Sequence, residues 1–276
     1  MAIKLGAVLS ADEVTPSSLD TLSSLGFETI NIAFWKSLGS CDLPQLAEIV
    51  AGSSLEVSAL SIFGNTLSGF DTLAGWEYLI THASRFGSPY VSGFAGRVTG
   101  KSVEDSLGVW KETFSSLLDL AYTNNCRGLL FENCRMGDLW KRGNWNIAIN
   151  GDAWALMFGI LDDPKLGLQW EPCHQVEAFI DPLMQLQEWL PKVKHVHGKD
   201  ALIDWDLLKV IGLYAPDKAI SSVLPGEGES DWGAIIRMLQ AADYDGSIDI
   251  ETQNQKFFPD LHDKKRSLKY LQQYLR

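Results

Sequence analysis

Residues 127–132 read RGLLFE and residues 166–171 read LGLQWE, two short apolar runs that each end in a glutamate. Runs of this length, bounded by polar residues, are typical of buried β-strands. The segment between them reads as a helix. Residues 127–171 therefore predict a strand–helix–strand unit, in which the two strands are parallel and joined by a right-handed crossover.

The same unit repeats along the whole chain, because eight apolar runs alternate with amphipathic segments that read as helices. Eight such units can close into an α/β barrel, the (β/α)8 TIM barrel, which often uses about 250 residues as one domain. A doubly wound open sheet is the alternative, but residues 9–16 (LSADEVTP) contain no glycine-rich phosphate loop. We therefore predict a single TIM barrel domain over residues 1–276. The eight predicted strands are Ile3–Leu9, Phe27–Phe34, Leu55–Phe63, Tyr90–Phe94, Arg127–Glu132, Leu166–Glu171, Val193–His197 and Ser247–Glu251.

Local signals mark the ends of several predicted helices. The Thr-Pro pair at 15–16 and the Ser-Asp pair at 230–231 each supply a capping side chain, the second for a helix over residues 232–242. Gly26 and Gly246 stand where a helix is expected to end before the next strand.

Two connections after strands are long, at Asn133–Asp152 and Gly198–Ser230. Loops that follow the strands of such a barrel usually carry its functional residues. We therefore expect the site at the end of the barrel where these two connections lie.

The composition excludes several classes of protein. The chain has 276 residues, of which 46% are hydrophobic and 21% charged, so it is not a disordered chain. Its formal net charge of −12 disfavours nucleic acid and anionic membranes as partners. The sequence contains no apolar run long enough to span a membrane and no secretory signal. The four cysteines show no CxxC pair, which is typical of a reduced, cytoplasmic chain.

The last four predicted strands all end in a carboxylate or an imidazole. These residues are Glu132, Glu171, His197 and Glu251. Strand ends converge on one face of a closed barrel, and three carboxylates at one point repel each other unless a cation compensates them. The set predicts one divalent metal ion, with Mn²⁺ or Mg²⁺ favoured over a thiolate zinc site, although Zn²⁺ and Co²⁺ also accept these ligands. His195 lies one layer deeper, where we expect it to hold its neighbours by hydrogen bonds.

Further side chains near strand ends are candidates for substrate contacts. Indole faces can stack on sugar C–H surfaces, and the tryptophans near strand ends are Trp35, Trp140, Trp145 and Trp170. Arg97 is a candidate to neutralise an anionic group, and Lys141, Arg142 and Lys199 are further candidates for a phosphate. Cys134 and Cys173 each follow a proposed ligand by two positions, where we expect them to be buried as small apolar residues.

The sequence resembles the xylose-isomerase-like barrels, the sugar phosphate isomerase/epimerase group that also includes abasic-site endonucleases. The resemblance covers about three-quarters of the chain, from the third strand to the eighth. The segments that carry it are SIFGN (61–65), LLFENCRMGDLW with WNIAING (129–151), LGLQWEPCH (166–174), KHVHGKDA (194–201), PGEGESDW (225–232) and GSIDIETQ (246–253).

The resemblance implies roles for residues of this chain. Glu132, Glu171, His197 and Glu251 would hold the metal, with Mn²⁺ the best fit, and Glu132 and Glu251 would also form the catalytic acid/base pair. His174 would contact the substrate or a metal ligand. The full set of expected substrate-binding residues is His174, Trp35, Asn65, Arg97, Trp145, Lys199 and Asp200.

Two segments depart from the pattern of the resembled family. Relatives usually read DPSH where this chain has EPCH, so Glu171 replaces an aspartate that is one methylene shorter. Relatives often read IEHED where residues 250–254 read IETQN. The first departure is expected to change the metal or its coordination, and the second removes polar groups from the rim.

The implied function is a metal-dependent isomerase or epimerase of a sugar or sugar phosphate, which moves a proton between carbons through an enediolate. One alternative is a dehydratase, a lyase that expels a hydroxyl from a polyol-derived ketone after the same proton abstraction. A second is a barrel that binds a sugar without turnover. Hydrolysis of abasic DNA is disfavoured by the net charge and by the small number of histidines. We expect a cytoplasmic protein with a small-molecule partner, and homo-oligomerisation is left open.

Overall fold

The computed structural model describes residues 3–252, 256–259 and 261–275. Eight parallel strands close into a barrel, which confirms the predicted TIM barrel. Gln253 and Asn254, part of the second departure from the resembled family, lie outside the described residues. The barrel strands are β1 (Lys4–Ser10), β2 (Thr29–Trp35), β3 (Glu56–Phe63), β4 (Tyr90–Gly93), β5 (Gly128–Glu132), β6 (Leu166–Trp170), β7 (Val193–Gly198) and β10 (Ser247–Ile250).

The eight predicted strands are confirmed, with ends that differ by at most two residues. The largest difference is at the start of β2, which begins at Thr29 and not at Phe27. Phe27 is buried, and its ring lies edge-on to that of Phe257, 5.6 Å away. It therefore packs as part of the core in the turn before the strand, which explains why it reads as a strand residue.

Helices on the outside of the barrel connect its strands. Thr15 caps α1 by accepting a hydrogen bond from the amide of Ser18, and Gly26 ends that helix with a φ of 94°; both features confirm the prediction. The helices are α1 (Pro16–Leu25), α2 (Leu43–Ala51), α3 (Phe70–His82), α4 (Val103–Thr123), α5 (Gly151–Ile160), α6 (Pro172–Glu177), α7 (Pro182–Trp189), α8 (Trp205–Ile211), α9 (Trp232–Ala241) and α10 (Leu261–Gln272).

The prediction that Gly246 ends a helix is wrong. Helix α9 ends at Ala241, and Asp243 takes the left-handed conformation that comes after it, with a φ of 54°. Gly246 lies farther along, where an added Cβ would stand 2.4 Å from the hydroxyl oxygen of Tyr244. Glycine is required there by close packing.

The long connection after β7 is more structured than the sequence indicates. It contains an antiparallel hairpin of β8 (Asp200–Ile203) and β9 (Ile220–Val223), with α8 between the two strands. These strands have only four residues each, which is too short for their periodicity to stand out from a loop.

The apolar core lies between the barrel and the helices. Aromatic rings pack there, such as Phe114 against Phe131 with ring centroids 4.8 Å apart. The inside of the barrel is instead polar, with buried side chains that include Asn31, Ser61 and His195. In the described part of the chain, no helix combines the length and apolarity needed to cross a membrane.

Candidate active site

Four charged or ionisable side chains meet at the carboxyl ends of four neighbouring strands. Glu132 ends β5, Glu171 follows β6, His197 lies on β7 and Glu251 follows β10. These strands are adjacent in the barrel, in the order β5, β6, β7, β10. Each residue offers one ligand atom, and these atoms all lie within 4.8 Å of one another. The barrel thus brings together the four residues expected from the sequence to hold a metal ion.

His197 stands in the middle of this cluster. Its Nδ1 atom lies 3.0 Å from Glu132 Oε1, 2.9 Å from Glu251 Oε2 and 3.6 Å from Glu171 Oε2. Burial lowers the pKa of the imidazole, but the three carboxylates, Glu251 foremost, outweigh burial and hold that pKa well above its usual value. The three glutamates thus surround one nitrogen of the ring.

The carboxylates differ in their surroundings. Burial raises the pKa of Glu132, and the nearby charges of Glu171 and Glu251 raise it further. The hydrogen bond with His197 lowers this pKa but does not outweigh burial. Burial also disfavours the charged form of Glu251, but Lys199 and His197 outweigh it and hold the pKa of Glu251 below its usual range. The Nζ atom of Lys199 lies 2.9 Å from Glu251 Oε1 and 3.3 Å from Glu171 Oε1.

The donor set fits a divalent cation. Both oxygens of Glu171 and Oε2 of Glu251 are buried without a hydrogen bond from the described residues, although nitrogen atoms of His197 and Lys199 lie nearby. Buried oxygens without a hydrogen bond are costly unless a cation or water binds them. A bound divalent ion would displace the proton of His197, because a metal-bound imidazole is neutral; three carboxylates, the Lys199 ammonium and the ion then sum to zero charge. Oxygen and imidazole ligands suit Mn²⁺ or Mg²⁺, and also accept Zn²⁺.

Glu171 and His174 are held one helical turn apart. Pro172 begins α6 immediately after Glu171, so that His174 Nε2 lies 3.2 Å from Glu171 Oε1. The other ring nitrogen of His174 contacts Glu177 Oε2 at 2.9 Å. His174 therefore lies beside the metal-ligand cluster, as the resemblance implies.

Asn133 positions Glu171 and was missed by the sequence analysis. Its side-chain oxygen accepts a hydrogen bond from the Glu171 amide at 2.8 Å, and its side-chain nitrogen donates one to the Glu171 carbonyl at 2.8 Å. This pair of bonds fixes the end of β6 against the end of β5. The signal in the sequence was an amide side chain directly after Glu132, at the point where the strand ends.

A buried hydrogen-bond network supports His197 from inside the barrel. Its Nε2 atom lies 3.3 Å from Asn31 Oδ1, and the side chain of Asn31 is bonded in turn to Ser61 at 2.6 Å. Deeper in the barrel, His195 accepts a hydrogen bond from Gln169 at 3.2 Å and donates one to Asp249 at 2.7 Å. The expectation that His195 holds its neighbours by hydrogen bonds is confirmed. Asn31 was missed, although an asparagine between Ile30 and Ile32 in a strand is itself a signal.

An aromatic wall lines one side of the barrel mouth; it consists of Trp35, Phe63, Phe94 and Trp145. The ring centroids are 5.8 Å apart for Trp35 and Trp145, and 5.4 Å apart for Phe63 and Phe94. The Phe63 ring lies 6.3 Å from that of His197, which joins the wall to the metal-ligand cluster. Trp35 is 39% exposed, so part of its side chain is accessible from solvent.

Cys134 and Cys173 are both buried, as expected. Burial raises the pKa of each thiol. The Sγ atom of Cys134 nevertheless lies within 4.8 Å of ligand atoms of Glu132 and His174. Both thiols have polar partners: Cys134 hydrogen-bonds with His174, and Cys173 Sγ donates to the hydroxyl of Ser222 at 3.6 Å.

Arg97 is not available to a substrate, contrary to the expectation from the sequence. Its side chain is fully buried and donates hydrogen bonds to the carbonyls of Trp140 at 2.7 Å and Lys101 at 2.9 Å. Its guanidinium also lies 3.6 Å from Asp138. Asp138 in turn accepts backbone hydrogen bonds from residues 144–146. Arg97 therefore holds the loops after β4 and β5 together.

Asn65 and Asp200 also have structural partners in place of a substrate. The Asn65 side chain bonds to both backbone groups of Arg97 and to the carbonyl of Asn144, and so ties three loops together. Asp200 is fully buried and accepts hydrogen bonds from Ser230 and from the indole of Trp232. Both side chains use their polar atoms within the fold, which explains why polar residues at strand ends mislead a reading from sequence.

Two of the tryptophans lie away from the aromatic wall. Trp170 is fully buried and donates its indole hydrogen bond to Gln185 on α7, outside the barrel. Trp140 donates its own to Glu104 on α4. The expectation of sugar stacking is therefore retained for Trp35 and Trp145 alone.

Curated relatives match part of the chain. The inosose dehydratase of Bacillus thuringiensis (strain Al Hakam) is 26% identical over 100 residues, which are 35% of this chain and 34% of the relative. The match thus spans about a third of the relative's length.

Solved structures match nearly the whole chain. The xylose isomerase domain protein from Planctomyces limnophilus has a TM-score of 0.75 and 16% identity, covering 99% of this chain and 98% of that chain. The 3-keto-D-glucoside 4-epimerase YcjR from E. coli has a TM-score of 0.70 and 14% identity, and the match covers 98% of this chain and 99% of that chain. The IolI protein with a zinc atom has a TM-score of 0.69 and 14% identity, with 99% and 96% covered. At these identities the similarity establishes the fold.

A family model adds to this similarity in fold. The model described as xylose isomerase-like TIM barrel matches residues 19–274, which include the metal-ligand cluster, the aromatic wall and most of the barrel. A match over that much of the chain establishes membership. The chain therefore belongs to the xylose isomerase-like TIM barrel family.

Proposed function

We propose that this protein is a divalent-metal-dependent isomerase or epimerase of a sugar, with Glu132 and Glu251 as the acid/base pair. The observation that carries the proposal is the convergence of Glu132, Glu171, His197 and Glu251 within 4.8 Å. Support also comes from the family, and from a structural neighbour that is an epimerase of a keto sugar. A divalent ion held by these residues would draw electron density from a carbonyl oxygen and so acidify the neighbouring C–H.

The protein's own residues supply the proton chemistry. Glu132 and Glu251 each have a carboxylate oxygen within 3.0 Å of Nδ1 of His197, so the two carboxylates lie close together at the barrel mouth. A substrate carbon bound beside both carboxylates loses its proton to one glutamate and regains a proton from the other, by way of an enediolate. Lys199, beside Glu251, donates hydrogen bonds that stabilise negative charge there.

The second candidate is a dehydratase, and it is favoured by the partial match to inosose dehydratase. Both reactions begin with the same proton abstraction. They differ in the second step, because a dehydratase expels a hydroxyl on the adjacent carbon before a proton is returned. Lys199 and His174 lie beside Glu251 and Glu171 respectively and are candidates to protonate such a hydroxyl.

We propose that the substrate is an uncharged sugar. Three of the four cations expected for a phosphate have partners within the fold: Arg97 is buried in the loops, Lys199 pairs with two of the clustered carboxylates, and Lys141 pairs with Glu104 at the surface. The fourth, Arg142, is exposed at the surface. We further propose one domain over residues 1–276 and a cytoplasmic location, which the four free cysteines support.

Deuterium exchange tests the proposed function. Protein loaded with Mn²⁺ is incubated in D2O with a panel of ketoses, aldoses and inososes, and the products are analysed by mass spectrometry. An isomerase or epimerase yields a sugar of unchanged formula with one carbon-bound deuterium, whereas a dehydratase yields a product that has lost water. Binding of metal and sugars without exchange for any member of the panel would favour the non-catalytic alternative.

Substitution of Asn31 tests the metal site. The hydrogen bond from His197 Nε2 to Asn31 leaves Nδ1 as the nitrogen that faces the carboxylates. Asn31→Leu removes this acceptor, and we expect the affinity for Mn²⁺ to fall about 10- to 100-fold. Asn31→Asp keeps an acceptor and should retain most of the affinity, as measured by calorimetric titration. Wild-type affinity in Asn31→Leu would contradict the assigned role of His197.

A further inference from the structure

A surface groove of about 550 Å³ lies beside the barrel mouth, with Lys36, Asn144 and Trp145 among its lining residues. Its volume falls within the range of sites that bind small organic ligands, about 300–1,000 Å³. It is separate from the metal-ligand cluster, because none of the four clustered residues lines it.

The groove adjoins the proposed active site at Trp145. This side chain lines the groove and also packs against the buried cluster of Phe63, Phe94 and Cys134. Cys134 Sγ lies within 4.8 Å of a ligand atom of Glu132. The groove therefore borders side chains that pack directly beside the metal-ligand cluster.

The backbone that forms the groove is held rigidly. Asn65 bonds to the carbonyl of Asn144 at 2.7 Å and so ties the loop after β3 to the loop after β5. Lys36 adopts the left-handed conformation, with a φ of 64°, and its amide donates to the carbonyl of Phe63 at 2.7 Å. Thr72 donates to the Lys36 carbonyl at 2.8 Å. A non-glycine residue keeps this conformation only where its surroundings impose it, and sites of this kind bind ligands with little loss of entropy.

The chemistry of the lining favours an uncharged polyhydroxylated ligand. Hydroxyl and amide groups of Ser37, Thr99 and Asn144 line the groove together with one lysine and one aspartate, Lys36 and Asp71, whose charges balance. The Lys36 ammonium lies over the ring of Trp145 at 5.1 Å, where the aromatic wall meets the groove. Aromatic faces beside hydrogen-bonding groups are suited to a sugar ring, which presents C–H surfaces and hydroxyls.

We propose that the groove is a second sugar subsite, so that the natural substrate is a glycoside or disaccharide whose distal sugar lies there. This proposal rests on the proposed function for the reacting sugar. It names a substrate class that the metal-ligand cluster alone does not specify. The aromatic wall would then contact the glycosidic bond that joins the reacting sugar to the distal sugar.

The test measures binding to the metal-loaded protein by calorimetry, with glucose compared with the reducing disaccharides maltose, cellobiose and lactose. At least one disaccharide should bind about tenfold tighter than glucose, a difference of about 1.4 kcal/mol. Thr99→Trp fills the groove from an exposed position, so in this variant the affinity for the disaccharide should fall close to the affinity for glucose. Thr81→Trp, at an exposed position on α3, is the matched control and should leave the ratio unchanged.

The outcomes separate this proposal from the proposed function. Equal binding of glucose and every disaccharide, or a preference that survives Thr99→Trp, overturns the subsite. Exchange in D2O is scored separately on the same sugars. If the protein catalyses exchange but shows no preference for a disaccharide, the proposed function stands and the proposed subsite is wrong. If the protein shows a preference that Thr99→Trp abolishes but catalyses no exchange, the subsite is supported and the proposed function is wrong.

Discussion

Glu132→Gln should slow the entry of solvent deuterium into the substrate by about 100- to 10,000-fold, and Glu251→Gln should do the same. Glutamine is close in shape to glutamate but cannot accept a proton at neutral pH. Both carboxylates lie within 3.0 Å of the same nitrogen of His197, so a substrate carbon bound beside that nitrogen is within reach of either one. The measurement is exchange in D2O at saturating Mn²⁺, with the metal content of each variant determined in parallel.

Two further variants serve as controls for this prediction. Glu171→Gln removes a proposed metal ligand without removing either member of the acid/base pair, so with metal restored it should lose less exchange than the other two. Glu48→Gln makes the same chemical change on an exposed face of α2 and should have no effect. Wild-type exchange in both Glu132→Gln and Glu251→Gln would show that the acid/base assignment is wrong.

Arg97→Met should lower the free energy of unfolding by about 3–5 kcal/mol. The substitution leaves Asp138, which is 4% exposed, buried without its cationic partner. It also leaves the carbonyls of Trp140 and Lys101 without the guanidinium that binds them. Chemical denaturation measures the change. If Arg97 instead bound substrate, the variant would retain stability and lose affinity for sugar.

Arg127→Met is the matched control for this second prediction. Arg127 lies 3.8 Å from Asp245, close to the 3.6 Å of the Arg97–Asp138 pair, but about half of each side chain is exposed. Exposed ion pairs contribute at most about 1 kcal/mol because water and salt screen them. A small loss for Arg127→Met beside a large loss for Arg97→Met would establish that burial, and not the ion pair as such, makes Arg97 essential.

The corrected residues share a cause. Arg97, Asn65 and Asp200 are polar and follow strands, which in this fold is also the position of functional residues. Their partners are mainly backbone groups and side chains of loops that follow other strands, such as the carbonyl of Trp140 for Arg97 and Ser230 for Asp200. A sequence does not indicate which loop will fold back onto such a residue, so a binding role and a structural role look the same before folding.

The sequence by itself determined the architecture and the convergence of the four candidate metal ligands. Alternating apolar runs and helices predict eight parallel strands. Closure of a parallel barrel brings the carboxyl ends of these strands to one face, independent of the conformation of the loops. Glu132, Glu171, His197 and Glu251 therefore meet because of where they stand on their strands. Their convergence needs no knowledge of side-chain packing.

Only the tertiary structure decided which other polar residues serve the site. The hydrogen bond of Asn31 to His197, the bonds of Asn133 to Glu171 and the groove beside Trp145 all join segments that are far apart in the chain. Such contacts depend on distances of a few ångströms between loops and strands, which neither periodicity nor residue type encodes locally. The physical reason is that strand position is a property of local sequence, whereas a hydrogen bond between distant residues is set by the packed fold.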